Sequence, residues 1–385
     1  MLGNIIGIAV VFISFGFIIF IHELGHFLMA RRVGIKVHEF ALGFGPKLWS
    51  RKSEKDGTLY ALRAFPFGGY VSMEGEDESK KADPSDSQNF QNKTNWQKIK
   101  VIAAGPLMNY AMAILLFLFT GFAFGIGEMY LKPKVGKIIP DSPAQKIGLK
   151  EGDLIVSVNG GEIEDAMEMI GIIHRSAGKE IELKVKRGED LFTRRVKPME
   201  KEVPYSPEMG DEYKTVERNG EKFAVIGLVG FQPDTKSMDI RFRRAPFGEV
   251  VTDCAVKTYK FSISPFVAVG MMIKGQIGSK ELVEGSSGPV GIGQMFFEMY
   301  AKGVPALIFF LAIINVLIGV FNLIPFPALD GARIAALFIA WLIRREFDPA
   351  KEGLVHAIGF WILMLLVIFF TYNDIVRIIK GVKFF

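Results

Sequence analysis

His22-Glu23-Leu24-Gly25-His26 stands at the far end of an apolar run that begins near the N-terminus, inside a stretch long enough to cross a lipid bilayer as a helix. Residues four apart on a helix share one face. His22 and His26 can therefore offer two imidazoles to one Zn2+ ion, while Glu23, one position on, reaches toward a water held by the metal. Two histidines and a glutamate are costly in lipid unless a metal or partners satisfy them. That cost sets a metal site ahead of the plainer reading, a pair of polar side chains packed at a helix interface.

The composition agrees with a membrane core joined to a soluble part: half of the 385 residues are apolar, 34 of them Phe, and the mean hydropathy is +0.28. The single cysteine, Cys254, excludes an intramolecular disulfide framework and a Cys-rich zinc site, so any metal must use His and carboxylate ligands. A net charge of +5 is small for this length, and the basic residues are dispersed or flank apolar spans, which argues against a nucleic-acid partner. The N-terminal run continues into the His motif instead of ending at a small-residue cleavage site, so it is expected to be retained as a helix.

The first span, about Ile5 to Met29, is followed at once by Arg31 and Arg32, which places its motif-bearing end on the cytoplasmic side. Period-two apolarity around Asp56-Gly57 predicts a membrane-associated β-hairpin over about 40–72, and Gly68 and Gly69 lie on a strand edge that could hold an extended substrate segment. Glu74 to Asn95 reads as a mobile acidic loop. A second span, about Val101 to Phe124, carries Asn109, which serves either as a helix-packing hydrogen bond or as a polar group aimed at the site.

Beyond Gly127 the chain predicts a soluble α+β module: a strand at 134–139, a Ser-capped short helix from Ser142, a strand at 153–160, a helix near 165–175 and strands near 180–186 and 192–197. Met199 to Lys222, charged and Pro-containing, is expected to be a flexible insertion. From Arg241 to about Ile277 an amphipathic pattern broken by Pro265 and Gly270 predicts a helix on the membrane surface, with a true crossing as the alternative. Gly285 to Gly293 is a Gly-rich turn without the Lys and preceding strand of a phosphate loop.

A third span, about Val304 to Ile324, runs into Asn322-Leu-Ile-Pro-Phe-Pro-Ala-Leu-Asp-Gly331, where two prolines break the helix just as a carboxylate appears. Broken backbone at membrane depth is tolerated only around a polar or water-lined site, so Asp330 is the expected third ligand. Leu354 to Thr371 forms a fourth span, and Arg344, Arg345 and Lys351 mark a cytoplasmic loop before it. These flanks leave both termini and the soluble module outside the cytoplasm, and bring His22, His26 and Asp330 to similar depth. His38, His174 and His356 are not expected to be ligands; His356 reads as interfacial.

The expected fold is thus a polytopic α-helical membrane protein with four transmembrane helices, a membrane-associated β-hairpin and an inserted α+β domain. Its divisions are 1–125 for the first two spans with the hairpin, 126–232 for the inserted domain, 233–300 for a membrane-surface segment, and 301–385 for the last two spans.

Taken in order, His-Glu-Leu-Gly-His, Gly-Phe-Gly-Pro, Ala-Gly-Pro-Leu-Met-Asn109, Ser-Gly-Pro289 and Asn322-Leu-Ile-Pro-Phe-Pro-Ala-Leu-Asp-Gly331 closely resemble the site-2 protease family of intramembrane zinc metalloproteases. The similarity points in particular to the bacterial regulator-of-sigma-E protease branch. The inserted module resembles a PDZ domain of the bacterial protease type, carrying its Ser-Pro-Ala, Gly-Leu, Gly-Asp and Val-Asn-Gly landmarks, and Ile226 to Gly230 looks like the strand and loop that would close a peptide groove. The resemblance implies that His22, His26 and Asp330 ligate Zn2+, that Glu23 is the general base, and that Asn322 and Pro325 contact the substrate. It also implies a multi-pass protein of the bacterial inner membrane acting on transmembrane substrates pre-cleaved by another protease, such as anti-sigma factors or signal-peptide remnants. A peptide ligand for the PDZ-like module follows from the same likeness. Two features depart from the pattern: Ala332-Arg333 stands where many members carry Gly-His, and one PDZ-like module is visible where the sigma-E protease has two. A membrane scaffold with a structural His pair would leave Glu23 and Asp330 without a role, and a transporter would be expected to show inverted repeats, which are absent.

Overall fold

The computed structural model describes residues 2–76, 83–206, 212–218, 220–234, 237–275, 278, 286–344 and 349–379. Arg345, part of the loop expected before the fourth span, and Gly285, at the start of the Gly-rich turn, lie outside them. Two compact units emerge, one of residues 1–127 with 242–384 and one of residues 128–241.

The first unit holds four helices long and apolar enough to cross a membrane, among the described residues: Ile5–Arg32, Asn95–Ala123, Val304–Leu323 and Lys351–Ile379. The first lies in α1 (Leu2–Arg32). Between it and α2 (Asn95–Ala123), β1 (Val37–Lys52) and β2 (Leu59–Met73) pair antiparallel. The register shows more than a simple hairpin: residues 39–42 of β1 pair with 59–62 on one side and with 69–72 on the other, while 47–52 pair with 59–63. Each long strand is bent into two, which gives four short strands with residues 69–73 at one edge. The bend in β1 is made at Gly43 and Gly45, both at positive φ, and a Cβ on Gly43 would come within 2.6 Å of the Phe65 carbonyl oxygen. Arg63 fastens the folded sheet by donating to Glu39 and to the Tyr70 hydroxyl, each at 2.7 Å, and to the Gly45 carbonyl. Burial pushes the Glu39 carboxyl up, but the bonds from Arg63 and Tyr70 outweigh it and hold the group below the ordinary carboxylate range.

α2 starts from a capping box in which Thr94 and Gln97 satisfy each other's backbone N–H groups. After the second unit come α5 (Phe247–Ile273), α6 (Pro289–Lys302), α7 (Val304–Leu323), α8 (Asp330–Ile343) and α9 (Pro349–Ile379), numbered after the two short helices of that unit. α5, the helix expected on the membrane surface, packs lengthwise and antiparallel on α2 and is not among the four helices long and apolar enough to cross a membrane. Val250 fills the space beside Gly121, Cys254 Sγ lies 3.7 Å from the Ile114 carbonyl, and the Phe117 and Phe261 rings stack at 6.3 Å. Further along, the Tyr110 hydroxyl donates to Ser262 at 3.1 Å. Lys257 of α5 pairs with Asp253 one turn away and lies over the Phe309 ring.

The second unit is α+β. β3 (Ile126–Leu131) pairs with β13 (Met238–Arg243), and β4 (Val135–Ile138) pairs with β12 (Phe231–Pro233). β5 (Leu154–Val158), β6 (Gly161–Glu162), β7 (Ile181–Arg187) and β8 (Asp190–Val196) form a sheet in the order β6-β5-β7-β8. Two helices, α3 (Pro143–Lys146) and α4 (Ala166–Arg175), pack on a core that includes Ile155, Met169, Leu183 and Val185. The expected flexible insertion is in part a sheet: β9 (Met199–Pro204) and β10 (Lys214–Arg218) flank β11 (Glu221–Leu228). β9 and β10 are charged and exposed on both faces, so neither shows the alternation that marks a strand.

Asp153 closes this core. It is 1% exposed, accepts two bonds from Arg187 at 2.7 and 2.8 Å, and accepts the Lys150 N–H at 2.8 Å. Burial raises its pKa, but Arg187 and the Lys150 amide outweigh burial and set it below the ordinary value. The stabilisation is therefore present above the unfolded-state pKa of about 3.9 and is lost as the pH falls through the lower folded-state value. Asp153→Ala in the full chain is expected to lower the stability of this unit by about 2 kcal/mol at pH 7. The loss would be read from amide exchange of β5 and β7 under increasing urea, and the gap from wild type would narrow below about pH 4. Equal exchange at pH 7 would show that the ion pair contributes nothing.

Candidate metal centre

The site begins where α1 and α2 cross. A Cβ on Gly25 would stand 2.2 Å from the Ala104 carbonyl oxygen, and one on Gly105 would stand 2.2 Å from His26 Nε2. Only two glycines let the helices approach this closely, and the imidazole of His26 lies in the notch that Gly105 leaves. His26 Nδ1 donates to the Val101 carbonyl at 2.9 Å, which leaves the lone pair on Nε2 and fixes the ring's orientation.

The third side chain comes from the other end of the chain. α7 stops at Leu323, the segment through Leu329 turns back, and Asp330 opens α8. Gly331 is required at this turn, because a Cβ there would be 2.3 Å from the Ile324 carbonyl oxygen. Asp330 Oδ2 lies 3.1 Å from His22 Nε2 and 3.4 Å from His26 Nε2, and the two Nε2 atoms are 3.1 Å apart. Donors bound tetrahedrally to zinc at about 2.0–2.2 Å stand about 3.3–3.5 Å from one another. The three atoms thus form one face of a zinc tetrahedron, within a few tenths of an ångström. The side chains are 13%, 12% and 21% exposed, and Asp330 Oδ2 is buried without a hydrogen bond. A buried carboxylate oxygen and two imidazole nitrogens aimed at a common point fit a divalent cation, and the N/N/O donor set suits zinc. Among the described residues this is the cluster that could hold a metal.

Glu23 sits beside the triad with its Cγ against the hairpin: a Cβ on Gly69 would come 3.3 Å from Glu23 Cγ. A cavity of about 200 Å³ opens over His22, His26 and Asp330, with Glu23, Tyr70, Glu76 and Arg333 in its wall. Gly69 lies beside Glu23 on the edge strand 69–73 but is not part of the cavity wall, whereas Gly68, at positive φ, packs on the Phe44 ring.

The remaining expected residues fall elsewhere. Asn109 is fully buried in α2, makes no hydrogen bond through either amide atom, and does not line the cavity. Asn322 donates to the Ile318 carbonyl of its own helix at 3.0 Å, and neither it nor Pro325 reaches the cavity wall. Sequence reasoning passed over Glu76 and Arg333. Glu76 accepts the Met73 N–H at 3.2 Å and lies 3.9 Å from Arg333. Burial pushes its carboxyl above the usual range, against the pull of Arg333 and the Met73 amide. Its place in an acidic loop gave no signal. Arg333 did give one, as the position that departs from the Gly-His of the resembled family.

The notch at Gly105 yields a direct test. Gly105→Ala is expected to displace the His26 ring and lower zinc affinity by about 10–100-fold, measured by chelator competition on the purified protein. Unchanged affinity would mean that the helix crossing does not set the ligand geometry.

The profile of Peptidase family M50 matches residues 10–366. The chain is 30% identical to a zinc metalloprotease, RasP, of Geobacillus kaustophilus, an alignment covering 94% of this chain and 96% of the relative. It is 29% identical to the regulator of sigma-W protease RasP of Bacillus subtilis over 95% and 97% of the two chains. It is also 34% identical to a chain of Clostridium acetobutylicum named as a zinc metalloprotease, over 96% and 97%. With three metal-ligand-type donor atoms clustered beside a glutamate and four helices long enough to span a bilayer, the chain belongs to peptidase family M50 as a membrane-embedded zinc metalloprotease.

Proposed function

We propose that this protease hydrolyses peptide bonds in or near the transmembrane segments of other membrane proteins, with His22, His26 and Asp330 as the zinc ligands and Glu23 as the general base. The observation that carries the reading is the meeting of the three donor atoms within 3.4 Å of one another beside Glu23. Zinc held there would lower the pKa of water toward about 7 and polarise the scissile carbonyl. Glu23 takes the proton of the attacking water as its oxygen bonds to the carbonyl carbon. It returns that proton to the leaving nitrogen as the C–N bond breaks, and the proton of the new carboxylic acid passes to the amine, so the fragments depart as a carboxylate and an ammonium group.

A helical amide is shielded by its own hydrogen bonds, so the substrate must be extended to be cut. The edge strand 69–73 beside Glu23 supports a mode in which the opened segment adds to the sheet, main chain to main chain, with Gly69 permitting close approach. By the same reading Asn322 and Pro325 contact substrate only once the segment near α7 and α8 adjusts to it, and Asn109 serves helix packing. The second unit, which we read as a PDZ-like module outside the cytoplasm, filters substrates already shortened by another protease or recognises their new C-terminus. The charge flanks support a bacterial inner-membrane protein with its metal site toward the cytoplasm. Substrates of the class suggested by the name of the B. subtilis relative, membrane-anchored regulators such as anti-sigma factors, fit this arrangement, as do signal-peptide remnants.

Glu23→Gln is expected to keep zinc at wild-type stoichiometry and to lose at least about 100-fold in cleavage of a membrane-embedded substrate in detergent. Asp330→Ala is expected to lose the metal itself. Turnover retained by the first variant would remove Glu23 from the role of base, and full zinc content in the second, by elemental analysis, would remove Asp330 from the ligand set.

A further inference from the structure

His356 stands on α9, outside the cavity wall, and the expectation from sequence was an interfacial residue with no part in the site. Its Nδ1 accepts the backbone N–H of Ala328 at 3.0 Å. Ala328 lies two residues before Asp330 and has φ of +78°, the left-handed region that residues with a Cβ rarely hold without support from their surroundings. One turn along the same face of α9, Gly359 presses on Pro327: a Cβ there would be 2.3 Å from Pro327 Cβ and 2.5 Å from its carbonyl oxygen. The loop's own bonds are short-range, Phe326 N–H to the Ile324 carbonyl and Leu329 N–H to the Phe326 carbonyl, and Leu329 offers α8 no side-chain cap.

The setting of α9 makes this contact notable. Only 6% of its apolar span is buried. Its far end is fastened separately, where Asp374 accepts the Gly291 N–H at 2.7 Å near the start of α6 and Arg377 donates to the Ser286 carbonyl at 2.9 Å. At the near end, the His356 and Gly359 contacts fall on Ala328 and Pro327, two of the three residues that lead into Asp330.

We infer that His356 is a positioning residue for the metal site: by accepting the Ala328 amide hydrogen at Nδ1, it holds the loop in the strained conformation that delivers Asp330 to the two imidazoles. For Nδ1 to accept, the ring proton must be on Nε2, the edge that faces Glu352 at 3.9 Å. The inference rests on Asp330 being a zinc ligand.

The test compares His356→Asn, His356→Gln and His356→Ala in the full-length protein. Asparagine can place an oxygen where Nδ1 was, and glutamine can place one only where Nε2 was. Two readouts are taken: zinc affinity by chelator competition, and hydrogen exchange of the segment containing Ala328 in zinc-free protein. Asparagine is expected to stay within about threefold of wild type in affinity, while glutamine and alanine weaken zinc by about 10-fold or more, the usual size for loss of a supporting bond at a metal site. In zinc-free protein those two should expose the Ala328 amide to faster exchange, and asparagine should not. Equal behaviour of asparagine and glutamine, or wild-type zinc affinity in all three, would overturn the proposal. Should the alanine variant fail to fold, the asparagine and glutamine pair still decides. Asp330→Ala run alongside separates the two levels: if it keeps zinc, the ligand assignment fails; if it loses zinc while His356→Gln does not, only the positioning role fails.

Discussion

A carboxylate and two imidazoles are held in a mostly buried pocket with their donor atoms facing one another, and the rest of the membrane unit is arranged to make that tolerable. Taking such groups out of water is costly unless each is paired or bound to a metal. The solution is geometric. Gly25 and Gly105 let two helices touch backbone to backbone, the Val101 carbonyl orients one ring, and a tight turn at Gly331 starts the helix that carries the aspartate. Lengthening any of these side chains by one carbon would open the face that the three donors share.

Around that centre the architecture separates catalysis from delivery. His22, His26 and Asp330 ride on helices, whose backbone bonds are satisfied internally as lipid demands. The doubled hairpin presents a strand edge that is unpaired among the described residues beside Glu23, and extended backbone is chemically suited to offering an amide to attack. α5, packed lengthwise on α2, carries its Asp253 and Lys257 as a mutually compensating pair, which explains how a charged helix accompanies an apolar one.

How much of this could be read in advance depended on the range of the interactions. The His22 and His26 pairing was legible because four residues of helix fix it, and Asp330 because two prolines broke an apolar span beside a carboxylate. The hairpin was legible because an Asp-Gly turn announced it, though the second fold of each strand was not, since register depends on pairings the sequence does not write. β9 and β10 were missed because strands wet on both faces carry no period. That α5 lies along α2 was not legible, because an amphipathic pattern broken by Pro265 and Gly270 does not say which helix its apolar face meets.

The sequence by itself determined what local periodicity and covalent spacing determine: four helices able to span a bilayer, an inserted α+β module, a ligand pair with its neighbouring glutamate, and an aspartate waiting at a helix break. Only the tertiary structure decided that Glu76 and Arg333 would meet in the wall of the cavity, and that His356 would grip the loop before Asp330. The physical reason is that these last contacts join residues far apart in the chain, through hydrogen bonds and close packing whose partners have no fixed separation in sequence and exist only once the helices have met.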